Sequence, residues 1–396
     1  MHTHSEKDDI NYVQATKTLS TYEEQRLALM LWQDQLGLTP NSSANLNLGF
    51  DFLSVLDHRQ IDHCDNEGWS QNYFLYGTEP ETTIEGKAKG TFNWTTLSYD
   101  YETSGMLHYN MLFAGDSAAT NLYNVLSTAG HETYNGKVDY HYKDEFTESE
   151  FADLIKDVQQ RGGFFVIPHP SQNRGTVNKP YGNTALDYVF EDSQGVAVGK
   201  IGFEVIAGSA YMADTKTNYE YWKELLKAGY KYFACAGSDV HGDLDDESNV
   251  SYVGGKKYHN VQKAVTSVYT TVKTPDAYME QFKKGNFTAG SVGIKMCVGD
   301  PTTGEVVPMG GECNFAGKKL VVEIGKFYKY EEHTANTLRI WNENEVVYSQ
   351  NFNKDETISV AFPTDETAKF YRVEVVRTSQ DTVIAYGNPI WNTNVK

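Results

Sequence analysis

Near the middle of the chain, Gly237-Ser238-Asp239-Val240-His241 follows a short apolar run and places a carboxylate two residues from an imidazole. In extended backbone the side chains of Asp239 and His241 leave on the same face. Such a pair at a strand end is half of a metal site. The other half is sought in the remaining groups that end apolar runs. These are His2 and His4 at the terminus, His58 in Asp57-His58-Arg59, Glu102 with His108, and His169 in Pro168-His169-Pro170. A histidine on a strand is more often a satisfied core residue than a ligand. Six of the 11 histidines at equivalent points, with carboxylates beside three of them, argue the other way. Imidazoles and carboxylates without thiolates suit zinc, manganese or iron, and this many ligands suit two or three ions. Cys235, inside the strand before Asp239, reads as core packing. His63, His131, His141, His259 and His333 read as surface or pocket-wall residues.

The elements that must position these groups alternate. Ser20-Thr21-Tyr22-Glu23 is a capping box that opens a helix ending at Gly37. Apolar runs predict strands over 50–56, 106–113, 164–167, 200–206, 230–235 and 267–272. Thr147-Glu148-Ser149-Glu150 and Thr217-Asn218-Tyr219-Glu220 cap two helices, and Thr274-Pro275-Asp276 starts a third that stops at Gly285. Strand and helix in alternation up to about residue 295 predict a parallel α/β domain. The candidate groups fall at its C-terminal strand ends, the face on which parallel α/β barrels build their sites. Residues 60–100 are aromatic-rich without a sustained period and read as an insertion that walls a pocket. From 296 to 396 only short strands with turn residues follow, which predicts a small antiparallel β-sandwich.

Composition narrows the function. The chain has 396 residues, 40% hydrophobic and 22% charged, as expected of an enzyme of about two domains. Its net charge of -19, from 53 acidic and 34 basic residues, argues against binding long nucleic acid. No apolar run is long enough to span a membrane. The start carries no export signal, so the chain reads as cytoplasmic as it stands, or secreted or periplasmic if a signal has been removed. Cys64, Cys235, Cys297 and Cys313 form no CxxC pair.

Taken in order, His2-Thr3-His4-Ser5, Asp57-His58, Glu102 with His108-Tyr109-Asn110, His169-Pro170 and Gly237-Ser238-Asp239-Val240-His241 resemble the PHP (polymerase and histidinol phosphatase) superfamily over about residues 1–295. The C-terminal part, ending in Gly387-Asn388-Pro389-Ile390-Trp391, is similar to the appended domain of its carbamate-hydrolase-like branch. The resemblance implies a distorted (β/α)7 barrel, TIM-like, with a two- or three-metal centre. His2, His4, Glu102 and Asp239 would hold one ion. Glu102 would bridge to a second ion on His108 and His169. His58 and His241 would hold a third, with an acid from Asp8-Asp9, for which Asp9 is taken. Asp57 would orient His58.

The implied activity is metal-dependent hydrolysis of a small phosphoester by a metal-bridging hydroxide. Arg59 and Arg174 could clamp a phosphate or form ordinary surface ion pairs. Trp69, Tyr73 and Phe74 could stack on a substrate ring or pack within the loop. A carboxyl-ester or carbamate hydrolase with the same centre is the alternative within hydrolases. A glycan-binding protein without catalysis is the alternative from another class.

Overall fold

The computed structural model describes residues 2–3, 54–55, 75–78, 81–84, 91–93, 98–100, 107–128, 133–134, 137–138, 145–170, 197–207, 212–237, 250–253, 256–259, 265–300, 302–327 and 334–395. Its first half is built on five strands: β1 (Tyr76–Thr78), β2 (Asn110–Phe113), β3 (Phe164–Ile167), β4 (Ile201–Ala207) and β5 (Tyr232–Gly237). They lie side by side in the order β5-β4-β3-β2-β1. Strands β3, β4 and β5 are parallel, while β2 runs antiparallel to β3 and β1 antiparallel to β2. His2–Thr3 pairs in parallel with Ser54–Val55 as a separate two-stranded unit, with His2 opposite Ser54.

The (β/α)7, TIM-like barrel is therefore corrected. Among the described residues the sheet is mixed, no ladder closes into a barrel, and four helices accompany a large excess of strands. The physical reason lies between residues 76 and 113. The chain there forms short strands, Glu81–Ile84, Thr91–Asn93, Ser98–Asp100 and Leu107–His108, and the second and third of these pair as a hairpin. A parallel neighbour needs a long crossover, usually a helix, and a hairpin-like connection returns the chain antiparallel. The described parts of the 60–100 segment are thus strands rather than loop, and Tyr76–Thr78 forms an edge of the sheet.

Three of the four described helices cover one face, and the fourth packs through Phe282 on Phe164 of the other. Ala118–Thr128 is α1, a helix that the sequence did not advertise through an acidic or capping first turn. Glu148–Gln160 is α2, opened by Thr147, whose hydroxyl accepts from the Glu150 amide while the Glu150 carboxylate accepts from the Thr147 amide. Its Phe151 meets Tyr109 edge-on at 5.3 Å and Phe165 at 5.7 Å. Met212–Lys227 is α3, which starts five residues before the expected cap at Thr217, so that Thr217 lies inside the helix. It crosses from β4 to β5 and anchors there through Trp222, whose Nε1 donates to the Tyr232 carbonyl at 2.8 Å. Pro275–Lys284 is α4, with Thr274 as its cap and Gly285 in the left-handed region at φ 73. None of the described helices is long and apolar enough to cross a membrane.

The second half consists of two sheets packed face to face. One sheet takes Thr266–Val268 (β6), Phe287–Gly290 (β7), Thr382–Asn392, Phe370–Arg377, Ala335–Trp341 and Val346–Asn353 in that order, all antiparallel. Glu312–Cys313 adds a short parallel pairing to its Thr382–Asn392 strand. The other sheet orders Val306–Pro308, Val292–Gly299, Lys319–Phe327 and Ile358–Pro363. Val292, Ile294, Met296 and Val298 from the second face Leu338, Ile340, Val373 and Val375 from the first in one apolar cluster. The expected boundary at 295/296 falls inside the Val292–Gly299 strand, and β6 and β7, which flank α4, already belong to the larger sheet.

The halves share a core. Phe233 of β5 packs against Phe287 and Trp391, both at 6.0 Å between ring centres. The Asn388 carboxamide, fully buried, accepts from the Ala234 amide at 2.7 Å and donates to the carbonyls of Gly285 and Phe287 at 3.2 Å each. Arg372 and Glu374, both buried, pair at 3.1 Å on the Phe370–Arg377 strand. The Tyr219 hydroxyl of α3 donates to Glu374 and accepts from Arg372, and burial pushes its phenol well above the usual range. The Arg372 guanidinium lies 4.8 Å from the Trp341 ring centre, a cation–π contact that helps offset its desolvation. On the surface Glu312 bridges Lys200, at 3.2 Å, and Lys231.

Two outcomes are expected. Asn388→Ala strips partners from one buried amide and two carbonyls and should cost about 3 kcal/mol or more. Denaturant unfolding checks this; a loss below about 1 kcal/mol would mean that the joint contributes little. Burial alone would raise the Glu312 pKa, yet its hydrogen bonds and charge contacts with Lys231 and Lys200 together lower it from 4.5. The bridge therefore stabilises the fold above pH 4.5 and is lost as the pH falls below that value. Glu312→Gln should flatten the acid limb of the Tm-against-pH curve; an unchanged limb counts against the bridge.

Candidate functional site

Antiparallel pairing of β2 with β3 creates the one junction of expected ligands whose side chains are described. Asn110 lies opposite Val166, so the two residues before β2 run alongside the turn that leaves β3. His108, last residue of the Leu107–His108 strand, thereby meets His169. Their rings are 5.0 Å apart, centre to centre, and inclined at 75°. His108 is half-buried and His169 is 3% exposed. The sequence places His108 at a strand's C-terminal end in a parallel sheet. It instead stands just before an antiparallel strand and reaches the same end of the sheet from the opposite direction.

His169 is held there by its backbone. Its φ is 26°, a left-handed value rare for a residue with a side chain. The following proline further disfavours helical geometry at this position. Such a conformation costs on the order of 1–3 kcal/mol and persists where the surroundings over-determine it, commonly at functional sites. One determinant is Glu204, 1% exposed on β4, whose Oε2 accepts from the His169 amide at 2.8 Å. A register shift between Glu204 and Ile206, where β4 pairs with β5, marks the same place. Glu204 was no ligand candidate from sequence, and its one signal is an acid inside an otherwise apolar strand. Its partner across the ladder is Cys235. Burial, with a smaller contribution from the Glu204 charge, pushes that thiol up to about 12, so it stays protonated and packs as the sequence suggests.

The rest of the expected site is distributed as follows. His2 is described in its backbone only, in the His2–Thr3 strand, which lies beside β5. His4, Asp9, His58, Arg59, Glu102, Arg174, Asp239 and His241 lie outside the described residues, as do Asp57, Trp69, Tyr73 and Phe74. β5 ends at Gly237, two residues before Asp239, at the end of the sheet where β3 leads to His169. Among the described residues no group of three or more His, Cys, Asp or Glu could hold a metal ion, so the metal-binding expectation is not met by these residues alone. The physical reason is ligand number: a stable site takes three or four protein donors, and His108 with His169 supplies two.

The separation of the two rings is one that a shared ion would allow. Two imidazoles on one ion at about 2.0–2.1 Å have ring centres roughly 4.6–5.3 Å apart for coordination angles between octahedral and tetrahedral. The observed separation lies within that interval. Glu204, bonded to the His169 backbone amide, would then fix where that ligand stands. Glu204→Ala is expected to cost about 2 kcal/mol of stability and to weaken zinc or manganese binding roughly tenfold, whereas Glu204→Gln, which keeps an acceptor, loses less. Denaturation and metal titration check both; unchanged metal affinity in Glu204→Ala would remove the residue from the site.

Comparison with protein-family models, with curated proteins and with solved structures finds no match to this chain, so its functional reading rests on the residues themselves.

Proposed function

We propose that the chain is a metal-dependent hydrolase of small phosphoesters, with its centre at the His108–His169 end of the five-stranded sheet. The observation that carries this reading is the edge-to-face pair of imidazoles, one of them on a strained backbone anchored by a buried carboxylate. The order of the remaining motifs, which resembles the PHP superfamily, supplies the other ligands: His2, His4, Asp9, His58, Glu102, Asp239 and His241. Two or three divalent ions of zinc, manganese or iron would supply Lewis acidity and an activated water. His108 and His169 hold their side of the centre, and the Glu204 contact keeps the His169 backbone from relaxing away from it. The dense apolar packing of Phe164, Val166 and Cys235 over Gly202 closes the sheet interior beneath the pair to bulk water.

The carboxyl-ester or carbamate alternative uses the same groups and differs in substrate alone. The glycan-binding alternative is weakened by the aromatics of the second half. Trp391 is buried, and Trp341 is covered by the Arg372 guanidinium, so neither ring offers an open stacking face.

Purified protein, stripped with chelator and reloaded with manganese or zinc, is expected to hold at least one equivalent of metal and to hydrolyse an aryl phosphate. Activity confined to aryl esters or carbamates would shift the substrate class. Less than one equivalent of metal, with no turnover restored by either ion, would sink the hydrolase reading. His169→Ala should lower metal content and abolish turnover, and full activity in that variant would relocate the site.

A further inference from the structure

Asn110, the first residue of β2, is 2% exposed, and its Oδ1 is buried without a hydrogen-bond partner. Buried polar groups are paired in about nine cases of ten, and an unpaired one costs roughly 1–3 kcal/mol. Two other buried asparagines of this chain, Asn388 and Asn392, follow the rule. Asn388 bonds to three backbone groups, and Asn392 donates to the carbonyls of Glu366 and Ala368. An apolar side chain of similar size would fit the position of Asn110 at lower cost, which directs attention to what its carboxamide meets when a ligand is present.

Its place in the sheet answers that. Tyr109, between His108 and Asn110, packs on the helix side, stacked on Phe165 at 5.6 Å and edge-on to Phe151. Alternation along the chain sends His108 and Asn110 to the opposite face. Across the ladder Asn110 stands opposite Val166, and Val166 stands next to Gly202 of β4. A Cβ on Gly202 would come within 2.8 Å of Cys235 Sγ, 2.8 Å of Val166 and 2.9 Å of Phe164, so this floor is filled. Asn110 stands on this face, two residues along the chain from His108 of the His108–His169 pair.

We propose that Asn110 is a catalytic residue of this site, its Oδ1 accepting a hydrogen bond from the water that attacks the ester. This rests on the hydrolase reading and deepens it. Holding one O–H of the water in that hydrogen bond turns a lone pair toward the phosphorus or carbonyl carbon. As the new bond to oxygen forms, the ester bond to the alcohol oxygen breaks and the water's proton leaves with the alcohol. Asn110 itself neither gains nor loses a proton, and the bond it makes is worth most when the water is oriented for attack. No other buried group on this stretch of β2 can do this, since its neighbours Tyr109 and Met111 face the helices and Leu112 is apolar.

The test compares wild type, Asn110→Leu and Asn110→Asp, each loaded with manganese, for Tm, metal content, kcat and KM on an aryl phosphate. Asn110→Leu is expected to keep its metal and to hold or raise its Tm. Its kcat should fall about 10–100-fold with little change in KM. Asn110→Asp, which keeps an acceptor at the same place, should retain more turnover than Asn110→Leu. A Leu variant with kcat within about twofold of wild type overturns the inference while the hydrolase reading stands. So does a marked fall in its Tm, because the carboxamide would then have a partner within the protein. If the wild type takes up less than one equivalent of metal and hydrolyses nothing, the hydrolase reading fails first and this inference falls with it.

Discussion

The side-chain carboxamide of Asn388 is the joint on which the two halves of the molecule depend. Its oxygen takes up the amide of Ala234 in β5, and its nitrogen serves the carbonyls at Gly285 and Phe287, on either side of the turn from α4 into β7. A buried amide or carbonyl without a partner is expensive, so three separate elements are registered by one residue. β5 is the strand that leads to Gly237-Ser238-Asp239-Val240-His241, and its position is therefore set from the far end of the chain. The Tyr219–Glu374–Arg372 cluster and the packing of Phe233 on Trp391 act at the same interface. The second half is thus not an appendage, because part of its core is the core of the first.

A second constraint, the direction of β2, controls the site. A helical crossover before β2 would have made it parallel to β3 and carried His108 to the other end from His169. Short hairpin-forming strands stand there instead, and the antiparallel register brings the two imidazoles together. The same register places Asn110 over the apolar floor formed above Gly202. Strain at His169 and the buried carboxylate of Glu204 belong to one arrangement, in which a costly backbone conformation is sustained by a charge-assisted hydrogen bond.

Much of the local structure was legible in the sequence because its causes are local. The Thr147 capping box, the Thr274-Pro275 start and the Gly285 stop of α4 act over three or four residues. The buried strands Phe164–Ile167 and Tyr232–Gly237, the latter expected over 230–235, announce themselves by continuous apolar character. Less was legible where pairing decides the outcome. Met212–Lys216 continues α3 upstream of the Thr217 pattern, and α1 has no acidic or capping first turn to announce it. The parallel sheet expected from strand–helix alternation, and the barrel implied by the resemblance, gave way to a mixed sheet because period does not record strand direction.

By itself, the sequence determined residue chemistry: imidazoles and carboxylates at the ends of apolar runs, no thiolate pair, an acidic chain, and short strands after residue 296. Only the tertiary structure decided which of these groups meet. It joined His108 to His169, gave Glu204 the task of holding a turn, left Asn110 with a buried, unpartnered oxygen, and made Asn388 the link between halves. Each of these depends on partners 35 residues apart or more, or on the register between neighbouring strands. Spacing along a chain carries neither, because a hydrogen bond or a packed ring is decided by distance in space.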